Sequence, residues 1–421
     1  MDLLVLVHVG AGNHQKRHLP DFKALVSRAC SQGLSDLISS DLSSTTKALS
    51  NTSKLVEASK LTNASYGSSL SYNGKIVNDA CVLLKDHASQ KFVSFALSNI
   101  QNFKYPITRC LNFLLLKEID VGQFCAGITK PCVFADNHFD YFNINRDRPS
   151  DSDDYLLNDG YCNNISLLSS NSINFYRQNE DRFLKNEPII KDNNVNNNIN
   201  DTIGILINDS KNSLSHGVSS GGNFFKSDQR IGCAGLIGPS LFNLTSLELP
   251  LYEILSSSRK KEFYYEISTM CSGNGEDIIE MDLARFASTY ILENLLVSND
   301  EDDLDLSKLL QDSIVKASKR IHLKSFNYQN KNTNADKNAN ANANSNTNQD
   351  KIIYVGVISY IRKFSLKSKK IVWNTILYCH STESFIFGYK YNSNKTQFMF
   401  SSLLDPKRIG VSFSRGEFIL K

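Results

Sequence analysis

No surplus of charge, no paired-cysteine framework and no long apolar run marks this chain. Its 46 basic side chains nearly balance 43 acidic ones, a formal charge of +3, so nothing in the composition calls for nucleic acid or an anionic membrane as partner. The Lys-rich spots Arg259-Lys260-Lys261 and Lys367-Ser368-Lys369-Lys370 read as solvated surface rather than localisation signals. The nine cysteines (Cys30, Cys81, Cys110, Cys125, Cys132, Cys162, Cys233, Cys271, Cys379) are odd in number and scattered, and none forms a Cys-x-x-Cys pair. That usage fits reduced thiols in a cytosolic or nuclear protein. No stretch approaches the ~18 apolar residues of a membrane span. The apolar start Leu3 to Val7 is too short for a signal peptide and lacks its basic flank. The expectation is a soluble protein of the cytoplasm, the nucleus or both.

Several common sites are absent too. Gly10-Ala11-Gly12 opens like a dinucleotide loop, but the third glycine of Gly-x-Gly-x-x-Gly would fall on Gln15. Gly273-Asn274-Gly275 has Ile278 at that place, and neither stretch carries the Gly-Lys-Ser/Thr of a phosphate loop. The eight histidines make no His-Glu-x-x-His and no paired cluster, so neither a metal nor a cofactor is expected.

What is present is a long chain, 421 residues and 41% hydrophobic, able to bury a large core in one large domain or two medium ones. Leu3 to Val7 reads as a buried strand, followed by helices over 21–37 and 45–61. Asn73-Gly74 signals a hairpin between Leu70-Ser71-Tyr72 and Lys75-Ile76-Val77. A strand over 92–97 and a helix over 107–117, started by Pro106, complete the first half. From about 147 to 200 the composition turns to Asn, Ser and Asp and reads as mostly linker. Beyond it come strands over 203–207 and 214–218, helices over 277–296 and 304–321, and strands over 352–361, 371–379, 385–391 and 397–400. The Asn- and Ala-dominated segment 327–350 gains too little burial to offset its ordering entropy and reads as a disordered insertion. Strands in both halves with helices grouped between them predict an α/β (α+β) fold, a four-layer αββα sandwich.

The most informative residues are Asp201-Thr202, where a polar Asn-rich run meets the strand Ile203-Gly204-Ile205-Leu206-Ile207. If the chain is cut before Thr202, that residue carries both a hydroxyl and an α-amine whose reference pKa is about 7.7–8.0. Nucleophile and base then share one residue. Ser220 lies 18 positions on (220 − 202), and antiparallel pairing of the two strands would return it beside Thr202. The same stretch, Gly217-Val218-Ser219-Ser220-Gly221, formally matches the Gly-x-Ser-x-Gly elbow of serine hydrolases, but Gly222-Asn223-Phe224-Phe225 is a poor helix start.

Read in order, Asp201-Thr202, Ser219-Ser220-Gly221-Gly222, Gln229-Arg230-Ile231-Gly232 and Ser272-Gly273-Asn274-Gly275-Glu276 resemble the plant-type asparaginase and threonine aspartase family of N-terminal nucleophile hydrolases. Val7 to His14, Leu61 to Ser68 and His380-Ser381-Thr382-Glu383-Ser384 with Gly388-Tyr389 extend the resemblance over nearly the whole chain, the last being similar to the threonine aspartase branch. The resemblance implies self-cleavage into an α chain, 1–201, and a β chain, 202–421, that stay together and pair as a dimer of αβ units. It implies Thr202 as nucleophile, Ser220 as the partner of its amine, and Ser272 with the Gly273 N–H as oxyanion donors. Arg230 would read the substrate carboxylate, with Cys233 and Gly275 lining the substrate site.

Where asparaginases have Gly-Arg-Val-Gly-Asp, with the aspartate pairing a substrate α-amine, this chain has Cys233. Gln229 and Ser65 also replace family glycines. The missing aspartate favours an endopeptidase that cuts protein substrates after aspartate over an asparaginase or isoaspartyl dipeptidase, with a catalytically degenerate scaffold as the non-enzymatic alternative.

Overall fold

The computed structural model describes residues 2–39, 45–119, 132–136, 160–185, 187, 202–258, 262–298, 304–332 and 353–421. Among them, thirteen strands form two sheets. The larger runs, in spatial order, Gln397–Ser402 (β12), Ser384–Tyr391 (β11), Leu3–Gly12 (β1), Ile203–Asp209 (β5), Ser213–Ser220 (β6), Asn78–Asp86 (β2), Phe92–Ile100 (β3) and Val133–Ala135 (β4). All its neighbours pair antiparallel except β3 with β4. The smaller sheet is antiparallel throughout and runs Ser414–Ile419 (β13), Ile371–His380 (β10), Val355–Ser365 (β9), Phe263–Gly273 (β8) and Leu241–Thr245 (β7). Strands from before and after Thr202 therefore share one sheet.

Alternation along β1 shows how the sheets are covered. Every residue of β1 is buried, so both faces of the strand meet protein. Leu3, Val5, Val7 and Val9 join an apolar cluster with the helices Leu19–Ser39 (α1), Thr45–Glu57 (α2) and Pro106–Ile119 (α3). Leu4 and Leu6 point the other way, to Met270, Ile358, Tyr360 and Ile376 of the smaller sheet. That sheet's opposite face packs on Gly275–Met281 (α6), Leu283–Val297 (α7) and the first part of Leu306–Asn332 (α8). The layers thus run helices, large sheet, small sheet, helices. No helix among the described residues is long and apolar enough to cross a membrane.

Several elements differ from what the sequence predicts. The segment read as linker holds the helix Ser170–Leu184 (α4), preceded by a short 3-10 turn at Asn164–Leu167. Its polar composition hides an aromatic face: Phe175 packs on Phe224 at 4.2 Å between ring centroids and Phe183 stacks on Phe225 at 4.7 Å. The helix expected over 277–296 is two helices, α6 and α7, because Asp282 takes a left-handed conformation, φ +46°, between them. The expected insertion begins inside α8, which continues to Asn332; 333–350 lie outside the described residues. At Asn73-Gly74 the hairpin is a single bridge between Leu70 and Ile76, and the long strand β2 follows it. β2, β7, β8, β13 and the helix Pro250–Ser258 (α5) are all additional to the sequence reading.

Being buried, the space between the sheets must neutralise or pair its polar groups. His8 and His216 are fully buried there, and neither ring nitrogen of either has a hydrogen-bond partner among the described residues. Burial pulls the pKa of His8 down from 6.5 to about 3 and that of His216 well below 6.5. The unfolded chain therefore binds more protons below pH 6.5, and the stability contributed by the neutral rings, complete above 6.5, is lost as pH falls towards the folded value. Urea unfolding at stepped pH tests this. The parent should lose stability relative to a His8→Leu variant as pH is lowered from 7 to 4; a constant difference would refute it.

Candidate functional site

Thr202 opens β5 and is only 2% exposed. It shares a strand face with Gly204 and Leu206, and Leu206 belongs to the inter-sheet core, so Thr202 faces the small sheet. The pairing of Ile203 with Ser219 confirms the expected antiparallel hairpin of β5 and β6; continued by one residue, this register sets Ser220 across from Thr202. Gly204 explains the close approach of the sheets here. A Cβ on it would lie 2.2 Å from His8 Nε2 and 2.6 Å from Met270 Sδ. Met270 and Ser272 share one face of β8, so Thr202 and Ser272 each lie two residues from the Gly204–Met270 contact.

The Ser272 hydroxyl accepts the Ala11 N–H at 2.9 Å, which leaves its own proton free to be donated. Gly273 has φ +123°, and a Cβ there would come within 2.3 Å of the Tyr354 carbonyl oxygen, so this turn requires glycine. The chain then enters α6 at Gly275.

Arg230 lies in a frame of glycines. Side chains on Gly222, Gly232 or Gly275 would come within 2.6, 2.7 and 2.7 Å of its guanidinium. Its Nε and Nη2 both donate to Glu276 Oε1, at 2.9 and 2.7 Å, and the Glu276 side chain is 54% exposed. An outside carboxylate would meet a guanidinium already held by an internal one. Cys233 is buried with its Sγ 4.0 Å from Thr202 Oγ1. Burial pushes its thiol up to about 11, so it is neutral near pH 7 and supplies no negative charge.

Ser220 Oγ accepts the Gly222 N–H at 3.0 Å. The turn it begins rests on the segment around Asn63: Gly221 N–H donates to the Asn63 carbonyl at 2.7 Å, and Asn63 Nδ2 donates to the Gly222 carbonyl at 2.8 Å. Ser65, where the family pattern has glycine, is left-handed at φ +55°, and its hydroxyl donates to the Lys104 carbonyl at 2.7 Å. So Thr202, Ser220, Cys233, Arg230 and Gly275 come together at this end of the sheets, with the Ser272-Gly273 turn on the facing sheet. Asp201 lies outside the described residues, so the bond before Thr202 has no geometry here.

Two further residues escaped the sequence reading. Lys226 is buried and donates to the carbonyls of Val77 and Gly221. Burial lowers its pKa to about 8, against the raising effect of Asp79. Asp79, also buried, accepts the Gly232 N–H at 2.8 Å and the Asn99 N–H at 3.2 Å. Lys226 thus ties the Ser220 turn to the segment before β2, and Asp79, whose pKa burial raises, ties β2 to the Arg230 loop. The one sequence signal was a lysine directly after Phe224-Phe225, which composition alone reads as surface.

Removing the Lys226 ammonium leaves the Val77 and Gly221 carbonyls without their donor and takes away a cation that favours the Asp79 carboxylate, at about 1–3 kcal/mol for each buried group left unsatisfied. Lys226→Met should therefore lower the urea midpoint by a corresponding amount, and adding Asp79→Asn should recover part of the loss; strict additivity of the two would rule the coupling out. Compared with known proteins, the chain matches no protein-family model and no curated protein.

Proposed function

We propose that this chain is a threonine endopeptidase of the N-terminal nucleophile type, an αββα sandwich that cleaves itself between Asp201 and Thr202 and then cuts protein substrates after aspartate. The observation that carries this reading is the setting of Thr202: a buried hydroxyl at the start of a strand, beside Cys233, on a register that, continued by one residue, sets Ser220 across from it, with Cys233 following a loop whose Arg230 is framed by three glycines.

In the proposed reaction the Thr202 hydroxyl attacks the main-chain carbonyl after a substrate aspartate, and its own freed amine takes the proton. The oxyanion is met by the Ser272 hydroxyl and the Gly273 N–H, each such donor being worth about 2.7–4 kcal/mol in the transition state. The proton passes from the amine to the leaving nitrogen, and water then releases the acyl group from Thr202. Arg230 takes the substrate aspartate in place of Glu276. The α part, 1–201, and the β part, 202–421, remain together because strands of both lie side by side in the large sheet. Pairing of two such αβ units belongs to the same proposal. The neutral Cys233 thiol is a poor partner for the α-amine of free asparagine, which favours the protease over an asparaginase.

Thr202→Ala is expected to leave the chain uncut and inactive on Asp-containing peptides, while Thr202→Ser retains both activities. Full processing of the alanine variant, read by intact mass, would end the proposal, and ammonia release from asparagine without peptide cleavage would replace it with the asparaginase reading. Glu276→Gln removes the internal competitor for Arg230. A partly exposed pair is worth about 0.2–1 kcal/mol, so KM for Asp-containing peptides should fall about 1.5- to 5-fold with kcat little changed. A raised KM would show that Glu276 assists binding instead.

A further inference from the structure

The far end of the inter-sheet core, at the Asp209 end of β5, carries a second concentration of polar groups. It lies seven strand residues from Thr202, roughly 20 Å. Glu266 of β8 is bound there by two cations, Lys85 Nζ at 2.7 Å and Arg362 Nη2 at 2.5 Å, and all three side chains are no more than 2% exposed. Arg362 Nη1 also donates to Asn208 Oδ1 at 2.8 Å and lies 3.3 Å from His87 Nε2. One carboxylate thus serves two buried cations. Above this floor opens a cavity of about 610 Å³ whose lining includes Asp2, His87, Lys211, Glu266, Lys369 and Lys370.

The charges around the cavity do not cancel. Lys211, Lys369 and Lys370 are exposed at its rim, whereas Lys85 and Arg362 lie behind Glu266, outside the lining, and neutralise its charge. Against the three rim cations stand Asp2, whose Oδ1 accepts the Tyr391 hydroxyl at 2.6 Å, and Glu248, an exposed carboxylate close enough to interact with Lys85 and Glu266, while Glu266 is already met by Lys85 and Arg362. His87 adds no charge near neutral pH, because burial and the Arg362 guanidinium hold its pKa at about 4. A concave surface over a low-dielectric floor concentrates the field of such an excess.

The geometry points to a binding site for a small phosphate-bearing polyanion in this cavity, with Lys211, Lys369 and Lys370 as its direct contacts above a Glu266 carboxylate that Arg362 and Lys85 neutralise from behind. Its volume is in the range of small-molecule sites, and lysines bind phosphate groups as point charges without demanding one fixed orientation. The site is independent of the reaction proposed at Thr202.

Isothermal titration of the full chain with inorganic tripolyphosphate tests the assignment. Expected is saturable binding at one site per chain that weakens as sodium chloride is raised. The triple variant K211A/K369A/K370A should bind at least tenfold more weakly, whereas K23A/K60A/K395A, which removes the same charge from exposed positions elsewhere, should bind like the parent. No saturable binding up to millimolar tripolyphosphate would overturn the proposal, as would an unchanged rim variant or an equal loss in the control. Because all the substituted lysines are exposed, unchanged thermal unfolding should accompany the loss of binding.

Discussion

The contact between Gly204 of β5 and Met270 of β8 sets the spacing of the two sheets at the end that holds Thr202. A single added methyl group at Gly204 would collide with both His8 and Met270, so the sheets approach this closely only because the residue has no side chain. From that contact follow the inward aim of Thr202, the placing of Ser272 on the facing strand, and the bond from Ala11 N–H that holds the Ser272 hydroxyl. The candidate site is a mouth of the core rather than a surface loop.

A sheet covered on both faces offers its polar groups no water, and each one has been met differently. Glu57 lies on the helix side of the large sheet, where it accepts the Ser219 hydroxyl at 2.7 Å and the Ile107 N–H at 2.9 Å, and burial pushes its carboxyl up to about 8. His8 and His216 stay neutral between the sheets. Lys226 is held by the carbonyls of Val77 and Gly221 beside Asp79, whose pKa burial raises, and Lys85 and Arg362 are held by Glu266. The last two groups stand at opposite ends of the inter-sheet space and give the molecule a polar feature at each mouth.

Much of the architecture was legible because apolar periodicity survives in the strands and in the first three helices. β1, β5, β6, β10, β11 and β12 and the helices α1 to α3 all fall close to where alternation and helical spacing put them. β8 did not read as a strand because Glu266 interrupts Phe263 to Cys271, and only Lys85 and Arg362, from other strands, make that charge tolerable. α4 did not because its aromatic residues are diluted by Asn, Ser and Gln, and their partners, Phe224 and Phe225, lie far along the chain. At the site, Thr202, Ser220, Arg230 and Ser272 were visible as ordered motifs, whereas Lys226 and Asp79 were not, since an isolated charged residue carries no spacing to recognise.

The sequence by itself determined the mixed α and β plan and the hairpin of β5 and β6, whose register, continued by one residue, sets Ser220 across from Thr202, because these depend on local period and short loops. Only tertiary structure decided which buried charges are compensated, that Glu276 occupies the Arg230 guanidinium, that Cys233 touches Thr202, and that a cation-rich cavity opens at the other end. Those outcomes turn on distances between residues far apart in the chain, and electrostatic and hydrogen-bond energies are set by such distances and by exclusion of water, neither of which a one-dimensional pattern contains.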